Sequence, residues 1–240
     1  MKKVYLFGDS FSLFTEDIKD YYINDIEFNT HHSLSNEHIL KLVKLKLNKL
    51  IQNNIDVKGS TILIQFTVCS RMCVLQSNIS GTKQFMQSVY RYEPNMVRYG
   101  DLDVFNNHYH TLYPNMSSMD SELVKMVFMP YLGFFINQNE TKIFNDLVLE
   151  VSLLKTLAES MDIKLEYFFY SSDFDLAISK PTYGGVKASN SSHIKFDGHN
   201  SLQSYIKDNR PDYFVSKLDI HFNDNGNKWY MNWLKDRYDF

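Results

Sequence analysis

The sequence predicts an α/β domain built on a parallel central sheet, and three observations carry that class. Short apolar, β-rich runs alternate with longer stretches of helical periodicity, the order that parallel β-α-β units require. Thr61–Phe66 (TILIQF) is an almost continuous apolar run, as expected of a strand covered on both faces. The first apolar run, residues 2–7, stops abruptly at Gly8-Asp9-Ser10, a strand followed by a tight turn.

Taken in order, residues 2–7 are the first expected strand and residues 26–29 a second. Ser35 then precedes a helix, with Ile39, Leu42, Val43, Leu45, Leu47 and Leu50 at helical spacing and Asn53-Asn54 at its end. TILIQF is the third strand. Residues 77–135 lose the periodicity and are rich in aromatics, among them Tyr90, Tyr92, Tyr99, Phe105, Tyr109 and Tyr113. They predict an insertion or lid over one end of the sheet, helical in part near residues 121–134. Ile143, Leu147, Leu149, Val151, Leu154 and Leu157 mark a long amphipathic helix over residues 141–161. Residues 163–170 (IKLEYFFY) alternate and read as a strand. Residues 171–197 read as loop, with Gly184-Gly185 at a turn. Residues 201–206 predict a short helix, and residues 223–234 the last helix, with Asn223 or Asp224 near its cap.

With 240 residues, one sizeable core suffices and a single domain is expected. The net charge is −3, and the spacing of Lys41, Lys44, Lys46 and Lys49 is that of the wet face of a helix, so no nucleic-acid partner is expected. No run approaches the roughly 18 apolar residues of a membrane span. Lys2-Lys3 precede too short an apolar run for a secretion signal, which predicts a cytoplasmic or virion-associated protein. Cys69 and Cys73 then read as free thiols. The 16 Tyr and 18 Phe fit a large core, a carbohydrate-facing cleft or an interaction surface, and composition does not choose among them.

The chemistry concentrates at the two ends of the chain. Ser10 directly follows a buried strand, where ligands bind in open α/β sheets. A hydroxyl there, at the start of a helix, would have backbone N–H groups at hand for an oxyanion. Near the other end, Asp219-Ile220-His221-Phe222-Asn223-Asp224-Asn225-Gly226 precedes an amphipathic helix containing Trp229, Tyr230, Trp233 and Leu234. A serine needs a base to take its proton, and a carboxylate orients that base. Other histidines are weaker candidates. On an extended strand His108 and His110 would share one face, but no further ligand stands at suitable spacing, so no metal or other cofactor is expected.

Gly8-Asp9-Ser10 together with Asp219-x-His221, on this strand–helix alternation, resembles the SGNH, or GDSL, hydrolase family. The resemblance implies a flavodoxin-like three-layer α/β/α sandwich. It also implies a Ser10–His221–Asp219 triad and metal-free ester hydrolysis through an acyl-enzyme, with acetylated sugars, lipids and other small esters as substrates. The chain departs from the family at two blocks. Where the second block has a Gly for the oxyanion hole, this chain has Asn29 to Asn36, leaving Ser33, Ser35 and Asn36 as candidate donors. Where the third block has an Asn, the strand runs into Thr67, Ser70 and Arg71, candidate substitutes for it, a pattern that looks like that of a divergent phage or bacterial branch. One residue separates acid from base, where the family has two. Asp9 is added to the candidates as a residue of the nucleophile turn.

Two functions compete. One is a serine esterase or deacetylase acting on an ester, such as O-acetyl groups on a carbohydrate, with the aromatic insertion shaping the pocket. The other is an inert relative of the same fold, a structural or binding protein that self-associates or joins a phage particle. A phosphate-binding module on the Gly8 turn is disfavoured by the lack of a glycine-rich loop.

Overall fold

The computed structural model describes residues 2–12, 14, 16–22, 24–31, 34–67, 71–77, 84–90, 140–172, 174–175, 192–216 and 219–240, with the backbone alone for 16–18, 71–77, 84–90 and 140–143. Its centre is a four-stranded, all-parallel sheet of β1 (Val4–Gly8), β2 (Ile26–Thr30), β3 (Thr61–Phe66) and β6 (Lys164–Phe169), in the order β2-β1-β3-β6. Two further strands, β4 (Arg71–Ser77) and β5 (Gln84–Tyr90), form a separate antiparallel hairpin. The helices are α1 (Glu16–Tyr21), α2 (Asn36–Gln52), α3 (Glu140–Ser160), α4 (Leu202–Asn209) and α5 (Asp224–Tyr238).

Strand side chains alternate across the sheet, and the apolar pattern divides accordingly. Tyr5, Phe7, Ile62, Ile64, Leu165 and Tyr167 pack with Ile39, Val43 and Leu47 of α2 and Leu147, Val151 and Leu154 of α3. Val4, Leu6, Leu63 and Phe168 pack instead with Leu202 and Ile206 of α4 and Tyr230, Met231 and Leu234 of α5. Both faces of the sheet are therefore covered, which explains why β1 and β3 are buried at every position. Each such side chain contributes about 1.5–3 kcal/mol by leaving water.

Local signals set the helix ends. Ser35 caps α2, its hydroxyl accepting from the His38 N–H, and Asn53 closes it. Ser201 caps α4 and Asn223 caps α5. No helix among the described residues is long and apolar enough to cross a membrane.

The structure differs from the sequence expectation in several places, among them α5, which runs four residues past the expected 234. No helix begins at Ser10. Residues Ser10–Ser12 make one 3₁₀ turn, and α1 starts only at Glu16. The reason lies in Asp9, whose carboxylate accepts from the Phe11 N–H while its carbonyl accepts from the Ser12 N–H, closing the chain into a tight turn. The β4–β5 hairpin also begins before residue 77. And α4 runs three residues past the expected 206. The helix expected near residues 121–134 and the turn at Gly184-Gly185 lie outside the described residues.

Candidate active site

Because the sheet is parallel, Gly8, Thr30, Phe66 and Phe169 all end at the same edge, and the residues that follow them converge there. Gly8 is required by close approach. A Cβ at this position would sit 2.7 Å from Gln65 Oε1 and 3.2 Å from Ser12 Oγ. The chain can therefore turn directly over the end of β3, with Ser10 at its crest.

Beneath Ser10 lies a buried polar network. Asp9, fully buried, accepts from the Phe11 N–H (3.1 Å), from Gln65 Nε2 (3.1 Å) and from the Thr67 hydroxyl. Gln65 Oε1 accepts from Ser12 Oγ (2.6 Å), which lies 3.2 Å from the Tyr230 hydroxyl of α5. On the other side, the Thr67 N–H donates to Asn36 Oδ1 (2.9 Å). The network joins the ends of β1 and β3 to the start of α2 and the middle of α5. Burying a carboxylate without donors is costly, so these donors to Asp9 fix the turn as well as solvate it.

His221 arrives from the opposite end of the chain. The segment before α5 is held by a bridge between Phe214 and Phe222, by the Val215 N–H on the His221 carbonyl (2.9 Å) and by Asn223. The Asn223 side chain donates to the carbonyls of Asp212 (2.7 Å) and Phe214 (3.0 Å) and accepts from the N–H groups of Asn225 and Gly226. Gly226 allows α5 to lie against this segment, since a Cβ there would meet the Tyr213 carbonyl at 2.6 Å.

The result is a chain of three groups. His221 Nε2 lies 2.9 Å from Ser10 Oγ, and His221 Nδ1 lies 2.6 Å from Asp219 Oδ1. With the ring proton on Nδ1 facing the carboxylate, Nε2 is the acceptor for the Ser10 hydroxyl. The short spacing between acid and base is accommodated locally. Asp219 Oδ1 also accepts from the His221 backbone N–H (3.1 Å), so the carboxylate folds over the single intervening residue. These bonds, from the ring first and the backbone second, hold the Asp219 carboxyl below the usual carboxylate range. Both side chains remain open to solvent, His221 at 44% and Asp219 at 49%, so the pair is screened more than a buried one.

The remaining sequence candidates fall in different places. Asp9, Asn36 and Thr67 belong to the buried network. Ser35 is the buried cap of α2. Arg71 opens β4 and is described by its backbone alone, while Ser33 and Ser70 lie outside the described residues. The same holds for Cys69, His32, His108 and His110. Sequence reasoning missed Gln65, Ser12, Tyr230 and Tyr170. Gln65 carried a signal, as the one amide within the apolar run TILIQF. Comparison with protein-family models, curated proteins and solved structures finds no match for this chain.

Proposed function

We propose that the protein is a serine ester hydrolase of the SGNH type, with a flavodoxin-like three-layer α/β/α architecture. The observation that carries this function is the Ser10–His221–Asp219 chain, with contacts of 2.9 and 2.6 Å joining residues from opposite ends of the sequence. The architecture is supported by the strand order β2-β1-β3-β6, extended by a parallel bridge from Phe169 to Ser201, and by the apolar clusters on both faces of the sheet.

In the proposed reaction Ser10 Oγ attacks the ester carbonyl carbon as its proton passes to His221 Nε2. The Asp219 carboxylate stabilises the imidazolium that forms. The tetrahedral intermediate collapses, the alcohol leaves with the proton from Nε2, and the acyl group stays on Ser10. A water, deprotonated by the same nitrogen, then releases the acid and restores the serine. Within the turn, the N–H groups of Phe11 and Ser12 already serve Asp9, so the Ser10 N–H is the backbone donor assigned to the oxyanion. Asn36, tied to the turn through Thr67 and Asp9, supplies the second donor through its side-chain amide. The substrate is a small ester, with O-acetyl groups on a carbohydrate as the leading class.

The test uses the full chain with p-nitrophenyl acetate and a fluorophosphonate probe. Wild type should hydrolyse the ester and label at Ser10, whereas Ser10→Ala should do neither. Equal turnover by the two proteins, or no labelling of wild type, would overturn the proposal in favour of an inert binding protein of the same fold.

A further inference from the structure

The imidazole of His221 does not stand alone at the sheet edge. It stacks on the ring of Phe11, with centroids 4.6 Å apart and planes inclined by 24°. Phe11 in turn stacks on Tyr170, at 3.9 Å and 10°. The Tyr170 hydroxyl then donates to the carbonyl of Ile220, the residue between Asp219 and His221. The three rings and this hydrogen bond close a loop. It runs from the imidazole through two aromatic faces and returns to the backbone of the segment that bears the imidazole.

Tyr170 is well placed to anchor this arrangement. It follows β6, and its ring is fully buried. Its N–H donates to the Phe66 carbonyl at the end of β3 (2.9 Å), and its carbonyl accepts from the Gln203 N–H of α4 (2.8 Å). Its backbone is thus bonded to a strand and a helix at once. Burial first, and the nearby Asp9 second, push the phenol well above its ordinary range, which keeps the hydroxyl a donor at neutral pH. By contrast, the segment it holds is open to water, and Asp219 and His221 are both about half exposed. In the arrangement seen, His221 Nε2 lies 2.9 Å from Ser10 Oγ.

We propose that Tyr170 is a positioning residue for His221, an inference that rests on the hydrolase assignment above. The hydroxyl fixes the height of the Ile220 carbonyl, and with it the start of the His221 residue. The ring fixes Phe11, which supports the imidazole from below with Nε2 facing Ser10. The Phe11 face does a second thing. An aromatic face within about 6 Å of a cation attracts it, so Phe11 favours the imidazolium that forms as Ser10 attacks. Phe11 is the neighbour of the nucleophile in sequence and of the base in space, which couples the positions of the two groups.

Two variants separate the components. Tyr170→Phe keeps the ring stack and removes the hydrogen bond. Phe11→Leu keeps an apolar side chain and removes the stacking face. With p-nitrophenyl acetate, each should lower kcat by about 10- to 100-fold, the order expected for a misplaced catalytic group, while KM moves by no more than about two-fold. Loss of folded protein would lower apparent kcat at constant KM in the same way, so turnover is expressed per folded molecule, with the folded fraction read from urea melts of each variant. A second measurement does not depend on turnover. In protein labelled with ¹⁵N-histidine, the ring nitrogens of His221 should report the proton on Nδ1 in wild type. In Tyr170→Phe they should move toward the tautomer mixture of free imidazole. Wild-type kcat together with unchanged ring-nitrogen shifts in either folded variant would overturn the inference. If wild type neither turns over ester nor labels at Ser10, the hydrolase assignment falls. The nitrogen shifts then still decide whether Tyr170 orients the ring.

Discussion

At the scale of single residues, the proposed triad includes a carboxylate that lies in the open. Asp219 reaches both the ring and the backbone N–H of His221, yet half of its side chain faces water. Removing the charge from a buried triad acid costs roughly 10⁴-fold in kcat. Solvent already screens Asp219, so Asp219→Asn should cost less, about 10²-fold, with fluorophosphonate labelling slowed by a similar factor. A loss as large as that of Ser10→Ala would instead mean that the carboxylate holds the whole segment together. The residues that bear the proposed chemistry were legible in the sequence, because Gly-Asp-Ser after a strand and Asp-x-His before a helix are local patterns. Their supports were not. Gln65, Ser12 and Tyr230 meet across separations of up to 218 positions, and no local pattern records such a meeting. The same is true of Tyr170 and Ile220, 50 positions apart.

Among the elements, the segment leading into α5 bears most directly on the site. Asn223 caps the helix with its carbonyl oxygen and ties down residues 212–214 with its amide nitrogen. Two substitutions divide these roles. Asn223→Ala removes both and should lower stability by about 1–2 kcal/mol, the range for a lost helix cap. Asn223→Asp keeps an acceptor at the cap but cannot donate to the Asp212 and Phe214 carbonyls. It should retain more stability than Asn223→Ala in urea melts while losing comparable esterase activity, since the His221 segment is freed in both. Equal activity in Asn223→Asp and wild type would show that the cap alone matters. The sequence made α2 and α5 visible, because each combines a cap with apolar residues at helical spacing. It hid α1, a six-residue helix (EDIKDY) with almost no apolar periodicity. It also hid the β4–β5 hairpin, whose strands RMCVLQS and QFMQSVY lack clean alternation and are not joined by a two-residue Asn-Gly type of turn.

For the molecule as a whole, the far end of α5 is fastened as firmly as its start. Glu166 of β6 accepts from Arg237 (2.8 Å), Tyr238 (2.9 Å) and Lys164 (3.1 Å). Burial pushes its carboxyl up, but these three partners outweigh burial and leave it below the ordinary range. A carboxyl depressed by folding stabilises the protein above its unfolded-state pKa. That contribution disappears as pH falls through the folded-state value. Glu166→Gln should therefore cost about 1 kcal/mol in urea melts at pH 7. The gap to wild type should close as the melts are repeated at lower pH. A gap that stays constant with pH would assign the loss to packing. The parallel sheet itself was legible, because its strands are short apolar runs between helical stretches. Its order was not, since β6 adds beside β3 through contacts that only the folded chain reveals.

The 211 positions between Ser10 and His221 also have a consequence in time. At about 5–20 residues per second, a ribosome releases the hydroxyl roughly 10 to 40 s before its imidazole emerges. During that interval the β1 turn carries Ser10 without His221, its proposed base. On the proposed mechanism, a fluorophosphonate should label Ser10 of the nascent chain only after the last helix docks.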